Sequence, residues 1–145
     1  MKILVLHGPN LNMLGTRNPD VYGSTTLGEL NDGLKNRFSN HDFEFFQSNV
    51  EGELINRIQA AITDGTEAII ANFGGFTHTS VALRDALEPI NFPKVEVHIS
   101  NIHAREEYRE KSITGEVMNG IITGFGVHSY ALGIQAAELL TPDFE

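Results

Sequence analysis

The sequence predicts a three-layer α/β domain built on a doubly wound parallel sheet of five strands. Three observations carry that prediction. Five short runs rich in Val, Ile and Phe recur along the chain, bounded by Gly, Pro or Asn. Between them lie segments whose apolar residues recur every three to four positions, the spacing of one helix face. The first, third and fifth runs are almost continuously apolar, as strands covered on both faces are.

In chain order, the first strand covers residues 2–6, and a helix follows on Leu27, Leu30, Leu34 and Phe38, stopped near Asn40. The second strand covers 43–47, with a helix on Leu54, Ile55, Ile58, Ala61 and Ile62 that Asp64-Gly65 ends. The third covers 68–72, and its helix carries Leu83, Ala86, Leu87 and Ile90. The fourth covers 95–100 and is followed only by a polar helical turn at 103–111. The fifth covers 120–126, before a helix on Tyr130, Ile134, Ala137 and Leu140. Counting the polar turn, β-α repeats five times. That order predicts right-handed crossovers and a flavodoxin-like sheet. Residues 1–145 read as one domain, with 141–145 as a frayed tail.

A chain of 145 residues is long enough for one substantial core. No apolar run approaches the roughly 20 residues of a membrane span. The opening MKILVLHGPN reads as a strand, not a signal peptide, so a cytoplasmic location is expected. The absence of Cys excludes disulfides and thiolate chemistry. A net charge of -9 and a pI near 5.0 disfavour nucleic acid and anionic membranes as partners. An anionic ligand would therefore need a local positive site.

Ligand sites of doubly wound sheets form at the carboxyl ends of strands. Three segments lie there: 10–25, 73–80 and 101–112. The first is long and holds Asn10, Asn12, Arg17 and Tyr22 among Gly15, Pro19 and Gly23. It reads either as a lid closing on an anion or as a surface loop of turn residues. In the second, Gly74-Gly75 lets backbone approach a ligand, Thr77 or Thr79 can cap the following helix, and His78 can hydrogen-bond a ligand or merely pack. In the strand VEVHIS, alternation puts Glu96, His98 and Ser100 on one face and Val95, Val97 and Ile99 on the other. A carboxylate two residues from a His can orient it and favour its charged form, which suits a general acid; an edge strand with a polar face is the ordinary alternative. Arg105 and Arg109, four apart, share one face of a helical turn and with Arg17 can hold a carboxylate or stabilise a phenolate, or else simply pair with Glu106, Glu107 and Glu110.

Several chemistries are disfavoured. Lysines 2, 35, 94 and 111 avoid strand carboxyl ends, so no Schiff-base lysine is expected. GxGxxG, the P-loop and G-x-S-x-G are absent. The histidines at 7, 41, 78, 98, 103 and 128 lack metal-ligand spacing, and His41 reads as a surface turn residue.

The segments GPNLNMLGTRNPDVYG at 8–23, QSNVEGELI at 47–55, NFGGFTHTSVALRDAL at 72–87, VEVHISNIHAREEYR at 95–109 and GFG at 124–126 closely resemble type II 3-dehydroquinases in order and spacing, over roughly 2–140. The resemblance implies a hydro-lyase that removes water from 3-dehydroquinate through an enolate, without metal or cofactor. It implies Tyr22 as the base, Arg17 as an essential lid residue that with Arg109 keeps the phenolate charged, and Asn10 as the holder of a water against the enolate oxygen. His98 is implied as the acid that protonates the leaving hydroxyl, with Glu96 behind it. Asn72, His78 and Arg109 are implied as contacts to ring hydroxyls, and Ile99 and Ser100 as binders of the substrate carboxylate. Asp85 is implied to reach a neighbouring subunit's site, within trimers that assemble into a dodecamer. Asn18, Phe73, Phe76, Ile113 and His128-Ser129 depart from the family's common residues, none at a catalytic position. The alternatives are a flavodoxin-like binder of a small anion, which has no need of both Tyr22 and His98, and another lyase or isomerase acting on a related cyclic hydroxy acid.

Overall fold

The structure, a computed structural model, describes residues 1–16 and 18–142. Five parallel strands form one sheet: β1 (Lys2–His7), β2 (Asp42–Gln47), β3 (Ala68–Asn72), β4 (Lys94–His98) and β5 (Gly120–Thr123), in the order β2-β1-β3-β4-β5. Five α-helices accompany them: α1 (Pro19–Tyr22), α2 (Leu27–Arg37), α3 (Glu51–Ala61), α4 (Val81–Leu87) and α5 (His128–Leu139). The doubly wound parallel sheet expected from the sequence is present.

The alternation of side chains across each strand divides the core in two. Ile3, Val5, Ile70 and Val97 face Leu30 and Leu34 of α2 and Tyr130 and Ile134 of α5. Leu4, Leu6, Ile69 and Ala71 face Leu54 and Ile58 of α3 and Leu83 and Leu87 of α4. Each such side chain, fully removed from water, contributes about 1.5–3 kcal/mol before entropy is counted. The helices begin where side chains replace missing backbone partners. The Thr26 hydroxyl accepts the Glu29 N–H ahead of α2, and the Ser80 hydroxyl accepts the Leu83 N–H ahead of α4. Ser80, not Thr77 or Thr79, is therefore the cap of α4.

Other expectations shift in detail. β4 ends at His98, so Ile99 and Ser100 lie in the turn beyond it. The helical turn expected at 103–111 is instead two 3-10 turns, Ile102–Ala104 and Glu107–Arg109, because Arg105 is extended (φ -113, ψ -157). β5 stops at Thr123 and is the sheet edge. Its apolar residues do not mark burial on both faces: Ile121 is 44% exposed. Ile62 and Leu140 lie beyond the helix ends and are exposed rather than part of their apolar stripes. His41 is buried, not a surface turn residue, between the Met1 amine (3.0 Å) and Glu138 Oε1 (3.1 Å). Of the tail expected to fray, residues 143–145 fall outside the described residues.

A polar chain runs through the α2/α5 layer. His7, at the end of β1 and in register with Asn72 of β3, is fully buried. Its Nε2 lies 2.9 Å from Asn31 Oδ1 and its Nδ1 2.9 Å from the Tyr130 hydroxyl. Burial holds the His7 imidazole down at about 4 against an ordinary 6.5, and the Asn31 hydrogen bond opposes this only in part. Between those values the unfolded chain binds a proton here that the folded chain does not. The stability contributed by this group is complete above about pH 6.5 and is lost as pH falls towards about 4, by about 3 kcal/mol. Urea denaturation from pH 7 down to 4.5 is expected to show stability falling with pH, with a shallower slope in His7→Asn. Equal slopes would remove His7 from that dependence.

Candidate active site

The carboxyl ends of β1, β3 and β4 open onto a cleft of about 650 Å³, counting the space open to solvent. Beneath it, backbone is laid against backbone. The Gly8 N–H donates to the Asn72 carbonyl at 2.7 Å. A Cβ on Gly8 would lie 2.4 Å from the Phe73 carbonyl oxygen, so only glycine fits there. Gly74 answers from the other side: its φ is 58, and a Cβ on it would lie 3.0 Å from the Pro9 carbonyl oxygen. The segments after β1 and β3 are thereby pressed together. Asn10, at φ 71 with its N–H given to Asn49 Oδ1 (2.9 Å), and Asn72 consequently line the same cleft.

One wall carries Tyr22, the last residue of α1. Its hydroxyl accepts a hydrogen bond from Arg105 Nη1 at 3.0 Å, and the guanidinium lies 5.5 Å from the ring centroid. The same nitrogen reaches the Ser100 hydroxyl at 3.2 Å. Arg105 and Arg109 do not share a helix face, because they belong to separate turns. Both still line the cleft, but Arg109 Nε donates to Glu106 Oε2 at 2.6 Å, the ion pairing that the charge run alone suggests.

His98 stands at the end of β4. Its Nε2 lies 2.9 Å from Glu96 Oε2, on the same strand face as alternation required. Glu96 is fully buried, and the hydroxyls of Thr77 (2.9 Å), Ser112 (2.6 Å) and Thr114 converge on its carboxylate. Burial pushes this carboxyl up. The hydrogen bond and charge of His98 and the hydroxyls of Ser112 and Thr114 outweigh it, so the group is held below the usual carboxylate range. A buried charge so completely satisfied is stable in place and orients the imidazole. The His78 ring stacks near that of His98, with centroids 6.5 Å apart, and its Nδ1 donates to the Lys111 carbonyl at 2.8 Å.

The structure thus brings Asn10, Tyr22, Asn72, His78, His98, Ile99, Ser100 and Arg109 together around one cleft, with Glu96 directly behind His98. Asp85 does not join them: it is exposed on α4 and pairs with Arg84 at 3.0 Å. Arg17 lies outside the described residues. Sequence reasoning offered Arg105, beside Arg109 and Arg17, as a cation that could meet a carboxylate or a phenolate, while the resemblance gave it no role; the structure sets it on the Tyr22 hydroxyl. Sequence reasoning also missed the hydroxyls behind Glu96, which come from two separate segments and carry no shared motif. Among the described residues, no group of three His, Asp or Glu side chains could hold a metal ion. Again among the described residues, no helix is long and apolar enough to cross a membrane. A tyrosine hydroxyl under a guanidinium and an imidazole backed by a carboxylate can take a proton from one atom of a ligand and give a proton to another.

Residues 1–138 match the model of the family described as dehydroquinase class II. The chain is 55% identical over 137 residues to a 3-dehydroquinate dehydratase of Polynucleobacter asymbioticus, covering 93% of this chain and 92% of that one. Against the crystal structure of a type II dehydroquinase from Butyrivibrio crossotus it gives a TM-score of 0.92 at 44% identity, covering 94% of this chain and 97% of that one. A 3-dehydroquinate dehydratase-like protein of Bifidobacterium longum is more distant: TM-score 0.71 at 31% identity, covering 97% and 98%.

Proposed function

The chain belongs to the class II dehydroquinases, which are hydro-lyases, and from that premise we propose that its cleft removes water from 3-dehydroquinate through an enolate, with Tyr22 as base and His98 as acid. One observation carries the reading: a single cleft is lined both by Tyr22, with a guanidinium on its hydroxyl, and by His98, backed by a buried carboxylate.

The Tyr22 phenolate takes a proton from C2, beside the C3 ketone. The electron pair left behind forms the C2–C3 double bond of the enolate, with negative charge on the ketone oxygen. The enolate then collapses. Its electron pair forms the new C1–C2 double bond while the C1–O bond breaks, and His98 gives the departing hydroxyl a proton so that it leaves as water. Tyr22 returns its proton and His98 regains one through solvent. A proton beside a ketone is only weakly acidic, so the enolate must be stabilised as it forms. Asn10 serves this by holding a water against the enolate oxygen. Arg105 holds the Tyr22 oxygen through its hydrogen bond, and Arg17 is assigned beside it as the lid residue. Asn72, His78 and Arg109 hold ring hydroxyls, while Ser100 and the backbone at Ile99 hold the carboxylate. Glu96 fixes the ring of His98 through Nε2, which leaves Nδ1 to face the chemistry.

The chain is also proposed to act as a homo-oligomer, trimers assembling into a dodecamer, in which Asp85 reaches a neighbour's site. The exposed apolar residues Ile121, Phe125, Leu139 and Leu140 support association. The proposed setting is cytoplasmic, in aromatic amino acid biosynthesis or quinate metabolism. Purified protein mixed with 3-dehydroquinate should generate the ultraviolet absorbance of the conjugated product, 3-dehydroshikimate. Folded protein producing no absorbance would overturn the reading.

A further inference from the structure

Glu96 is held below the usual carboxylate range, so at neutral pH it has no proton and every group bonded to it must donate. The hydroxyls of Thr77 (2.9 Å) and Thr114 reach Oε1, while the Ser112 hydroxyl (2.6 Å) and His98 Nε2 (2.9 Å) share Oε2. Ser112 has little freedom in this. Its Oγ accepts the Gly115 N–H at 2.8 Å, and its one proton goes to Oε2 in preference to Thr77 Oγ1 at 3.3 Å or Thr114 Oγ1 at 3.4 Å. The segment that carries Ser112 and Thr114 is itself pinned in place. The Ile113 N–H donates to the Thr77 carbonyl at 2.8 Å, and the Lys111 carbonyl accepts His78 Nδ1 at 2.8 Å. Nearby charged groups are engaged elsewhere. Lys94, two residues before Glu96, gives its ammonium to the Leu87 carbonyl at 2.6 Å, and Glu116, in the turn that begins at Thr114, pairs with Arg84 at 3.2 Å. With Glu96 committed to these donors, the Nε2 of His98 must be an N–H, and the ring gives or regains a second proton only at Nδ1.

We propose that Ser112 and Thr114 are positioning residues for the elimination step: their hydroxyls occupy the remaining lone pairs of Glu96, so that the carboxylate grips His98 by its Nε2–H and leaves Nδ1 to protonate the departing group. Glu96 and Thr114 are fully buried, which keeps bulk water from taking the place of a lost hydroxyl. Without these donors the carboxylate would be free to turn about its own bond. It would also bind a proton more tightly and draw the Nε2 proton away from the ring. The inference rests on the dehydratase reading, in which Tyr22 first forms the enolate and His98 acts only when the C1–O bond breaks. Loss of the hydroxyls should therefore slow the second step and spare the first.

The test compares wild type with Ser112→Ala, Thr114→Val, Thr114→Ser and the double variant Ser112→Ala/Thr114→Val. Each is checked for folding by circular dichroism and thermal melting, then assayed on 3-dehydroquinate. A hydrogen bond to a charged group is lost in Ser112→Ala and in Thr114→Val, so kcat should fall about tenfold in each, with KM within about threefold of wild type. Thr114→Ser keeps the hydroxyl and should stay within about threefold of wild-type kcat. The decisive readout is made in heavy water. There the proton held by Tyr22 is replaced by deuterium, so an enolate that returns to substrate leaves deuterium at C2. A slowed second step sends more enolate back, and the ratio of deuterium in recovered 3-dehydroquinate to product formed should rise about tenfold in Ser112→Ala, the same factor as the fall in kcat. A purely structural role would lower exchange and elimination together and leave that ratio alone. An unchanged ratio in folded Ser112→Ala, or turnover by Thr114→Ser no better than by Thr114→Val, would overturn the proposal. Solid-state NMR of the imidazole nitrogens, with His98 assigned by its absence from His98→Asn, reads the proton directly and needs no substrate. The proposal expects the neutral His98 ring to carry its proton on Nε2 in wild type and to show Nδ1–H as well in the double variant; the same spectrum in both would overturn it. Wild type that fails to turn over 3-dehydroquinate would sink the dehydratase reading, and the NMR comparison would still decide what the two hydroxyls do to His98.

Discussion

Tyr22→Phe is expected to lower kcat on 3-dehydroquinate roughly a thousandfold while leaving the protein folded. The substitution deletes one oxygen and keeps the ring, and the ring is the part of Tyr22 that packs against the α2/α5 core layer. Arg105 keeps its ring contact and its bond to the Ser100 hydroxyl, so the cleft wall should hold its shape. What disappears is the proton acceptor, and a positioned general base contributes about 10²–10⁴-fold to a rate. KM should change little, because the roles assigned to Asn72, His78, Ser100 and Arg109 in binding are untouched. Steady-state kinetics alongside a thermal melt check this. A folded variant within tenfold of the wild-type kcat would remove Tyr22 from the role of base.

The second large effect is expected from Glu96→Gln, on activity and stability together. Glutamine keeps the volume but replaces a charged acceptor with an amide that is half donor. Hydroxyls from Thr77, Ser112 and Thr114 and the Nε2 of His98 all turn towards the carboxylate, so some of them must lose their acceptor or turn away. Leaving buried polar groups unpaired costs about 1–3 kcal/mol, and breaking a buried ion pair about 3–5 kcal/mol. The His98 ring also loses its carboxylate partner and its fixed orientation, so kcat should fall about a hundredfold. The stability loss has a pH signature. The folded-state carboxyl is held below its ordinary 4.5, so its stabilisation is present above about pH 4.5 and is lost as pH falls through the depressed value. Wild type and variant should therefore differ most at pH 7 and converge on acidification below 4.5. Denaturant titrations at pH 7 and pH 3.5 measure this, and an equal gap at both would show that the carboxylate charge is not the source.

Much of this site was legible because it follows from strand alternation. Glu96 and His98 share a face in any strand, and Gly74-Gly75 in segment 73–80 announce close backbone approach. Arg105 was harder. Spacing of four made it a helical partner of Arg109, but extended backbone at Arg105 itself separates the two turns and sends its guanidinium to Tyr22. The hydroxyls behind Glu96 lie 16 to 19 residues away in sequence and meet only when the chain folds back on itself. His7 had a signal that went unused: a titratable residue ending a strand that is otherwise apolar. β5 was misleading in the other direction, because an apolar run cannot say whether another strand will lie beyond it. Asp85, implied to reach a neighbouring subunit's site, does not line its own cleft, so the role implied for it depends on a second copy of the chain.

The close approach of Gly74 to the Pro9 carbonyl bears on inhibition. A compound that takes its affinity from the backbone lining at Gly74 and Gly75 touches main-chain atoms, which most substitutions preserve. The enzyme could escape it there only by adding a side chain, and at position 74 the first added carbon would lie 3.0 Å from the Pro9 carbonyl oxygen on backbone at φ 58. Resistance would have to arise at side chains lining the cleft, such as Leu11 and Ile102. Molecules anchored on that backbone should therefore keep their potency across variants that defeat molecules anchored on side chains.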